Sequence, residues 1–178
     1  MKEYILKSER LGLRNWEASD LEPFIEMGKD EHVMKYFPNL LSEKETTEFV
    51  ERLQKHFLTY GFTYFAIEIL ETNEFIGFTG FVHQTWKSKF TPCVDIGWRI
   101  KKSAWGNGYA TEAANCCFEN GFKKFNIKKV YAFASKNNLD SENVMQKTGM
   151  EYVDYFDHPK LMDTPNLNPC VVYKKEGI

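Results

Sequence analysis

Between Val94 and Phe118 the chain reads VDIGWRIKKSAWGNGYATEAANCCF, and its hydrophobic period switches once along that stretch. Val94, Ile96, Trp98 and Ile100 alternate with Asp95, Gly97 and Arg99, the period of a strand. A polar turn, Lys101-Lys102-Ser103, and a glycine pair at Gly106 and Gly108 follow. Beyond Gly108 the period becomes helical, with Ala110, Ala113, Ala114, Cys117, Phe118, Phe122 and Phe125 on one face, which predicts a helix to about Phe125. Strand, glycine turn and helix start together make an anion site. The first helical N–H groups have no intrahelical partner, and the helix dipole adds partial positive charge. Glycines let an anion approach the backbone, and Lys101 and Lys102 add attraction. A glycine pair alone also describes an ordinary tight turn. Two familiar phosphate loops fit poorly: Tyr109-Ala110 follows Gly108 where a P-loop needs Lys-Ser/Thr, and Thr111 stands where a dinucleotide fingerprint needs Gly or Ala.

The block WGNGYATEA, Trp105 to Ala113, resembles the acetyl-coenzyme A signature of the GNAT N-acetyltransferases, whose core pattern is Arg/Gln-x-x-Gly-x-Gly/Ala. Trp105 departs from the basic or amide residue usual before the first glycine. The longer match resembles the branch of ribosomal-protein N-terminal acetyltransferases. Two further phrases are similar to that branch: Ser8-Glu9-Arg10-Leu11-Gly12-Leu13-Arg14, and Asn138-x-x-Ser141-x-x-Val144-Met145-x-Lys147-x-Gly149-Met150. The resemblance spans nearly the whole chain, from Ser8 to Tyr173.

In chain order, Ser8 to Asn15 reads as a first strand. Ser19-x-x-Glu22 and Ser42-x-x-Glu45 are capping boxes, opening a helix through Met27 and another to about Tyr60. His32 to Leu40 reads as a loop or half-turn. Thr63–Ile69 and Phe75–Val82 are strands joined by a turn at residues 71–74. Gly77 and Gly80 mark a bulge or a close backbone neighbour. His83 to Pro92 is a loop, 128–135 a strand, and a short helix begins near Ser141 and ends before Gly149. Met150–Phe156 and Cys170–Lys174 are strands separated by a Pro-rich loop. The expected architecture is α/β (α+β): one domain over 1–178, with a mixed, mainly antiparallel sheet of six or seven strands and helices on both faces. Length supports one domain, at 178 residues. A net charge of −2 gives no basic field for nucleic acid. Cys93, Cys116, Cys117 and Cys170 have neither metal nor disulfide spacing, and the N-terminal residues show no apolar run. A cytoplasmic protein without metal, signal peptide or membrane span is expected.

The resemblance implies acetyl transfer from acetyl-CoA to a primary amine, either a protein N-terminus or a small molecule. It implies that backbone N–H groups of Gly106, Asn107, Gly108, Tyr109 and Ala110, with Trp105 and Thr111 beside them, hold the pyrophosphate. Main-chain groups of Trp98, Arg99 and Ile100 would meet the pantetheine arm and thioester, with Asn138 and Asn143 also on the coenzyme. Many relatives donate the thiolate proton from a tyrosine where Met145 stands, so Ser141 is the candidate, with helix capping as its other role. Asp95 is the first candidate base; Glu68 and His83 follow, and each also suits an ordinary structural role. Met34, Tyr36 and Phe37 are candidates for the acceptor wall or for core packing. Alternatives are a non-catalytic CoA-binding module on the same fold and a nucleotide-binding domain. A homodimer paired through an edge strand is compatible with the resemblance.

Overall fold

A computed structural model describes residues 3–177. The alternating segments form one eight-stranded sheet of β1 (Leu6–Lys7), β2 (Leu11–Arg14), β3 (Tyr64–Ile69), β4 (Glu74–Gln84), β5 (Cys93–Ile100), β6 (Lys129–Ser135), β7 (Glu151–Phe156) and β8 (Cys170–Glu176). Their spatial order is β1-β2-β3-β4-β5-β6-β8-β7, and every neighbouring pair is antiparallel except β5 with β6. On one face lie α1 (Leu21–Lys29) and α2 (Glu43–Tyr60), closing a core of Trp16, Phe24, Val50, Leu53, Phe75 and Phe78. On the other face lie α3 (Tyr109–Cys116), α4 (Phe122–Lys124) and α5 (Leu139–Lys147), whose Ala113, Ala114, Phe122 and Met145 pack on Phe65, Ile67, Phe81 and Ile96.

The mainly antiparallel architecture is as the sequence predicts, with one strand more. The phrase SERLGLR is a hairpin: Ser8 N–H donates to the Leu11 carbonyl at 2.9 Å, and Leu11 N–H donates to Ser8 Oγ at 3.2 Å. The serine side chain competes with ladder pairing and turns the chain, so Ser8 to Arg10 leave the strand and β1 pairs with β2. The box at Ser42 forms as expected, with Glu45 N–H donating to Ser42 Oγ and Ser42 N–H donating to Glu45 Oε2. Ser19 and Glu22 form no such box. Asp20, buried two residues earlier than Glu22, accepts from Glu17 N–H at 2.8 Å instead. The helix expected to reach Phe125 passes through a π turn at Cys117–Gly121, next to Phe81. Strand β4 continues to Gln84, which places His83 opposite Val94 rather than in a loop. Asn138, not Ser141, caps α5, so that helix begins at Leu139. The four cysteines are free thiols.

Gly77 settles one expectation. At φ 140° a Cβ there would lie 2.0 Å from the Arg99 carbonyl oxygen across the β4–β5 ladder. The close neighbour is backbone of the central strand, and the β3–β4 register also shifts beside Gly77, between Ile67 and Glu68, so both a bulge and a close neighbour are present. Gly77→Ala is expected to destabilise the protein by about 3 kcal/mol, because neither strand can retreat without breaking the ladder. Urea unfolding measures it; a midpoint unchanged at constant slope would show that the two strands yield freely.

Candidate active site

Strand β5 pairs with β4 over eight successive residues but with β6 only at Asp95, opposite Tyr131. Beyond Asp95 the two strands part. Antiparallel ladders alternate the direction of main-chain groups, and Lys101 N–H donates to the Ile76 carbonyl. Gly97 and Arg99 therefore turn their main chain toward β4, while Trp98 and Ile100 turn theirs into the gap beside β6. Of the three residues expected to meet the coenzyme through main chain, Trp98 and Ile100 face the gap and Arg99 faces β4.

The glycine turn opens beside this gap. Gly106 and Gly108 have φ of 78° and 77°, and a Cβ on Gly106 would meet nothing within 4 Å. Gly108 caps α3, so the N–H groups of Tyr109, Ala110 and Thr111 precede the first helical bond, from Glu112 N–H to the Gly108 carbonyl. Trp105 takes a role of its own: its indole N–H donates to the Ile100 carbonyl at 2.7 Å, tying the turn to β5. Asn107 spends its side-chain amide on the Ala104 and Trp105 carbonyls. Lys101 is paired with Glu74, leaving Lys102 exposed. Open backbone, a helix start and no intruding side chain fit a pyrophosphate.

A clamp that the sequence reading missed holds this turn. Arg10, from the β1–β2 hairpin, donates through Nε to Glu112 Oε2 at 2.6 Å and through Nη2 to the Asn107 carbonyl at 3.0 Å. Its guanidinium lies 4.7 Å from the Tyr109 ring centre, and Ser8 Oγ donates to Glu112 Oε1 at 2.8 Å. Burial pushes Glu112 up, but these donors outweigh it and leave its carboxyl below the ordinary value. The signal was present, since Arg10 and Glu112 belong to two of the three quoted phrases.

At the start of α5, Asn138 Oδ1 accepts from Ser141 N–H at 3.2 Å. Ser141 is thus inside the helix, half-buried and relieved of capping; Asn143 is exposed and Met145 is core.

Asp95 lies where β5 and β6 part, on the face of β5 that carries Arg99, and is only 8% exposed. Tyr64 Oη donates to its Oδ1 at 2.7 Å and Gln84 Nε2 to its Oδ2 at 3.0 Å. Burial raises its pKa from 3.8 to about 7, against the pull of those two bonds and of the Lys160 charge. Tyr64 and Gln84 were not foreseen, because only the β3–β4–β5 register brings them to Asp95. Glu68, fully buried, is committed to Arg14 and Tyr4. His83 faces His56, with Nδ1 and Nε2 3.2 Å apart, and burial lowers both imidazoles. Met34 is core, whereas Phe37, 39% exposed, lies over the Arg99 guanidinium at 4.2 Å.

Over residues 10–151 the chain matches the family described as Acetyltransferase (GNAT) domain. It is 33% identical to the Bacillus subtilis protein YkkB over 148 residues, covering 83% of this chain and 85% of that one. A GNAT-family acetyltransferase from Bacillus anthracis has a TM-score of 0.78 at 28% identity, covering 96% of this chain and 97% of that one. RimL, described as a ribosomal L7/L12 alpha-N-protein acetyltransferase in complex with coenzyme A, shares the fold with a TM-score of 0.79 at 15% identity, covering 98% of each chain.

Glu112→Ala removes the centre of the clamp. A half-exposed ion pair contributes roughly 1 kcal/mol or less to stability, so melting should fall little. If the turn is where coenzyme A is held, its affinity should fall about tenfold, near 1.4 kcal/mol, as the turn loses its anchor. Calorimetry showing undiminished affinity would separate the clamp from the turn.

Proposed function

This chain belongs to the GNAT family of acetyltransferases, and from that premise we propose that it passes the acetyl group of acetyl-CoA directly to a primary amine, both substrates being bound together. The observation that carries the reading is the gap where β5 and β6 separate at Asp95, beside an open glycine turn and with that buried carboxyl at its edge. An amine is protonated near pH 7 and must lose that proton to attack. Asp95, ionised above about pH 7 and oriented by Tyr64 and Gln84, accepts it directly or through one water.

The coenzyme supplies the activated acetyl group. The N–H groups from Gly106 to Ala110 bind its pyrophosphate, with Thr111 adjoining and Trp105 holding the turn in place. Trp98 and Ile100 N–H groups line the gap, where they hold the pantetheine arm and favour negative charge on the carbonyl oxygen during transfer. Asn138, through its amide nitrogen, and Asn143 flank the arm. The Ser141 hydroxyl, not needed for capping, protonates or hydrogen-bonds the departing thiolate.

The acceptor is a protein N-terminus or a small-molecule amine; RimL, a ribosomal-protein acetyltransferase by its description, shares this fold. The roles need neither nucleic acid nor membrane. Among the described residues no helix is long and apolar enough to cross one. A cytoplasmic setting, and a homodimer through an edge strand, belong to the same proposal.

Thiol release from acetyl-CoA tests it, with peptides of varied N-terminus in one set and polyamines and amino sugars in another. Release with either set names the acceptor class. If no amine elicits release and acetyl-CoA fails to raise the melting temperature, the coenzyme assignment falls.

The base has its own signature. For the active set, kcat/KM should rise about tenfold per pH unit up to about pH 7 and level off above it. Asp95→Asn should lose that limb and about 100-fold or more in kcat. The stability sign is opposite. A carboxyl raised in the folded state contributes stability below its ordinary 3.8 and loses it as pH rises through about 7. Asp95→Asn should therefore melt no lower than wild type at pH 8. A pH limb that survives in Asp95→Asn would assign the base elsewhere.

A further inference from the structure

Two arginines lie buried in one row across the sheet, through the register Arg14–Ala66–Phe78–Arg99. Arg14 is fully satisfied: Asp20 accepts from both Nη atoms at 2.7 and 2.8 Å, and Glu68 Oε2 accepts from Nε and Nη2. Arg99, 8% exposed, has no carboxylate partner among the described residues. Its Nε and Nη1 are buried without a hydrogen-bond partner among the described residues. Around the guanidinium stand Phe37 at 4.2 Å, Phe78 at 5.4 Å, and Phe24 and Phe49 each at 5.9 Å.

Ring faces attract a cation but do not replace hydrogen bonds, and burying an unpaired charge is costly. A methionine or leucine would fill this apolar site without that cost. The packing does not call for an arginine; a ligand does. The guanidinium fork matches a carboxylate in two parallel bonds.

Its place says which ligand. Period two puts Arg99, Gly97 and Asp95 on one face of β5, with the Tyr64 ring standing over Gly97. The ends of that row are about 13 Å apart along the strand, before side chains reach toward each other. Phe37, the ring nearest the guanidinium, comes from the connection between α1 and α2 and is itself at the surface. Lys160, from the loop before β8, adds a second positive charge felt at Asp95.

We infer that Arg99 is a specificity residue that binds a carboxylate carried by the acceptor, several ångströms from the amine that Asp95 deprotonates. The inference rests on the acetyl-transfer reading for the identity of that amine.

A ladder of straight-chain ω-amino acids, in which a growing run of methylenes separates the amine from the carboxylate, tests it against the matching ω-amino amides with acetyl-CoA as donor. At some chain length the acid should exceed the amide at least tenfold in kcat/KM. Arg99→Met should abolish that ratio and Arg99→Lys should keep part of it, with melting temperatures confirming that both fold. A second arm, peptide amides with Asp or Asn at the second or third position, tells an acidic peptide from a free amino acid. Acid preference in either arm that depends on Arg99 supports the inference. Equal use of acids and amides in both arms, or a preference unchanged in Arg99→Met, overturns it. If none of these amines elicits thiol release, that result counts against acetyl transfer instead. Calorimetry of the same acids and amides with coenzyme A present then decides: tighter acid binding lost in Arg99→Met supports the site, and equal binding overturns it.

Discussion

Strand β5 is held from one side. Eight consecutive pairs tie it to β4, and one, at Asp95, ties it to β6. A parallel partner that diverges leaves the main chain of Trp98 and Ile100 facing a gap in the middle of the sheet, where backbone donors normally spend themselves on a neighbour. The β4 side has to be correspondingly rigid. Gly77 and Gly80 let the carbonyls of Arg99 and Thr63 come closer than any Cβ would permit, and Thr79 Oγ1 adds a bond to the Gly97 carbonyl.

Polar networks at the two ends of β2 support that arrangement. Arg14, between Asp20 and Glu68, pins the start of α1 to β2 and β3, so the helical pair over Arg99 has a fixed base. Arg10 and Glu112 pin the β1–β2 hairpin to the first turn of α3, and Trp105 ties the same turn back to β5. The glycine turn is thereby anchored at both ends while its N–H groups stay open.

These contacts explain why three phrases distant in the chain read as one signature. SERLGLR supplies the arginine that clasps the glutamate of GYATEA. The Asn138 phrase supplies a helix whose cap frees Ser141. The strand–glycine–helix switch, the Ser42 box and the tight glycines of β4 were all legible, since periodicity, capping and turn chemistry involve residues within a few positions of each other. The short β1 and the π turn were not: a two-residue strand has no period, and the π turn shares the apolar stripe of the helix it interrupts.

By itself the sequence determined the order of elements, the phosphate-type turn at Gly106 and Gly108, and the residue types able to do acyl chemistry. The tertiary structure alone decided what those residues are. Asp95 reads as one polar position in an alternating strand, and becomes a carboxyl titrating near neutrality because burial disfavours its charge by more than Tyr64, Gln84 and Lys160 favour it. Arg99 reads identically, and becomes a caged cation because α1, α2, their connection and β4 together bring four rings to it. Desolvation is a sum over neighbours from distant parts of the chain, and no local pattern encodes that sum.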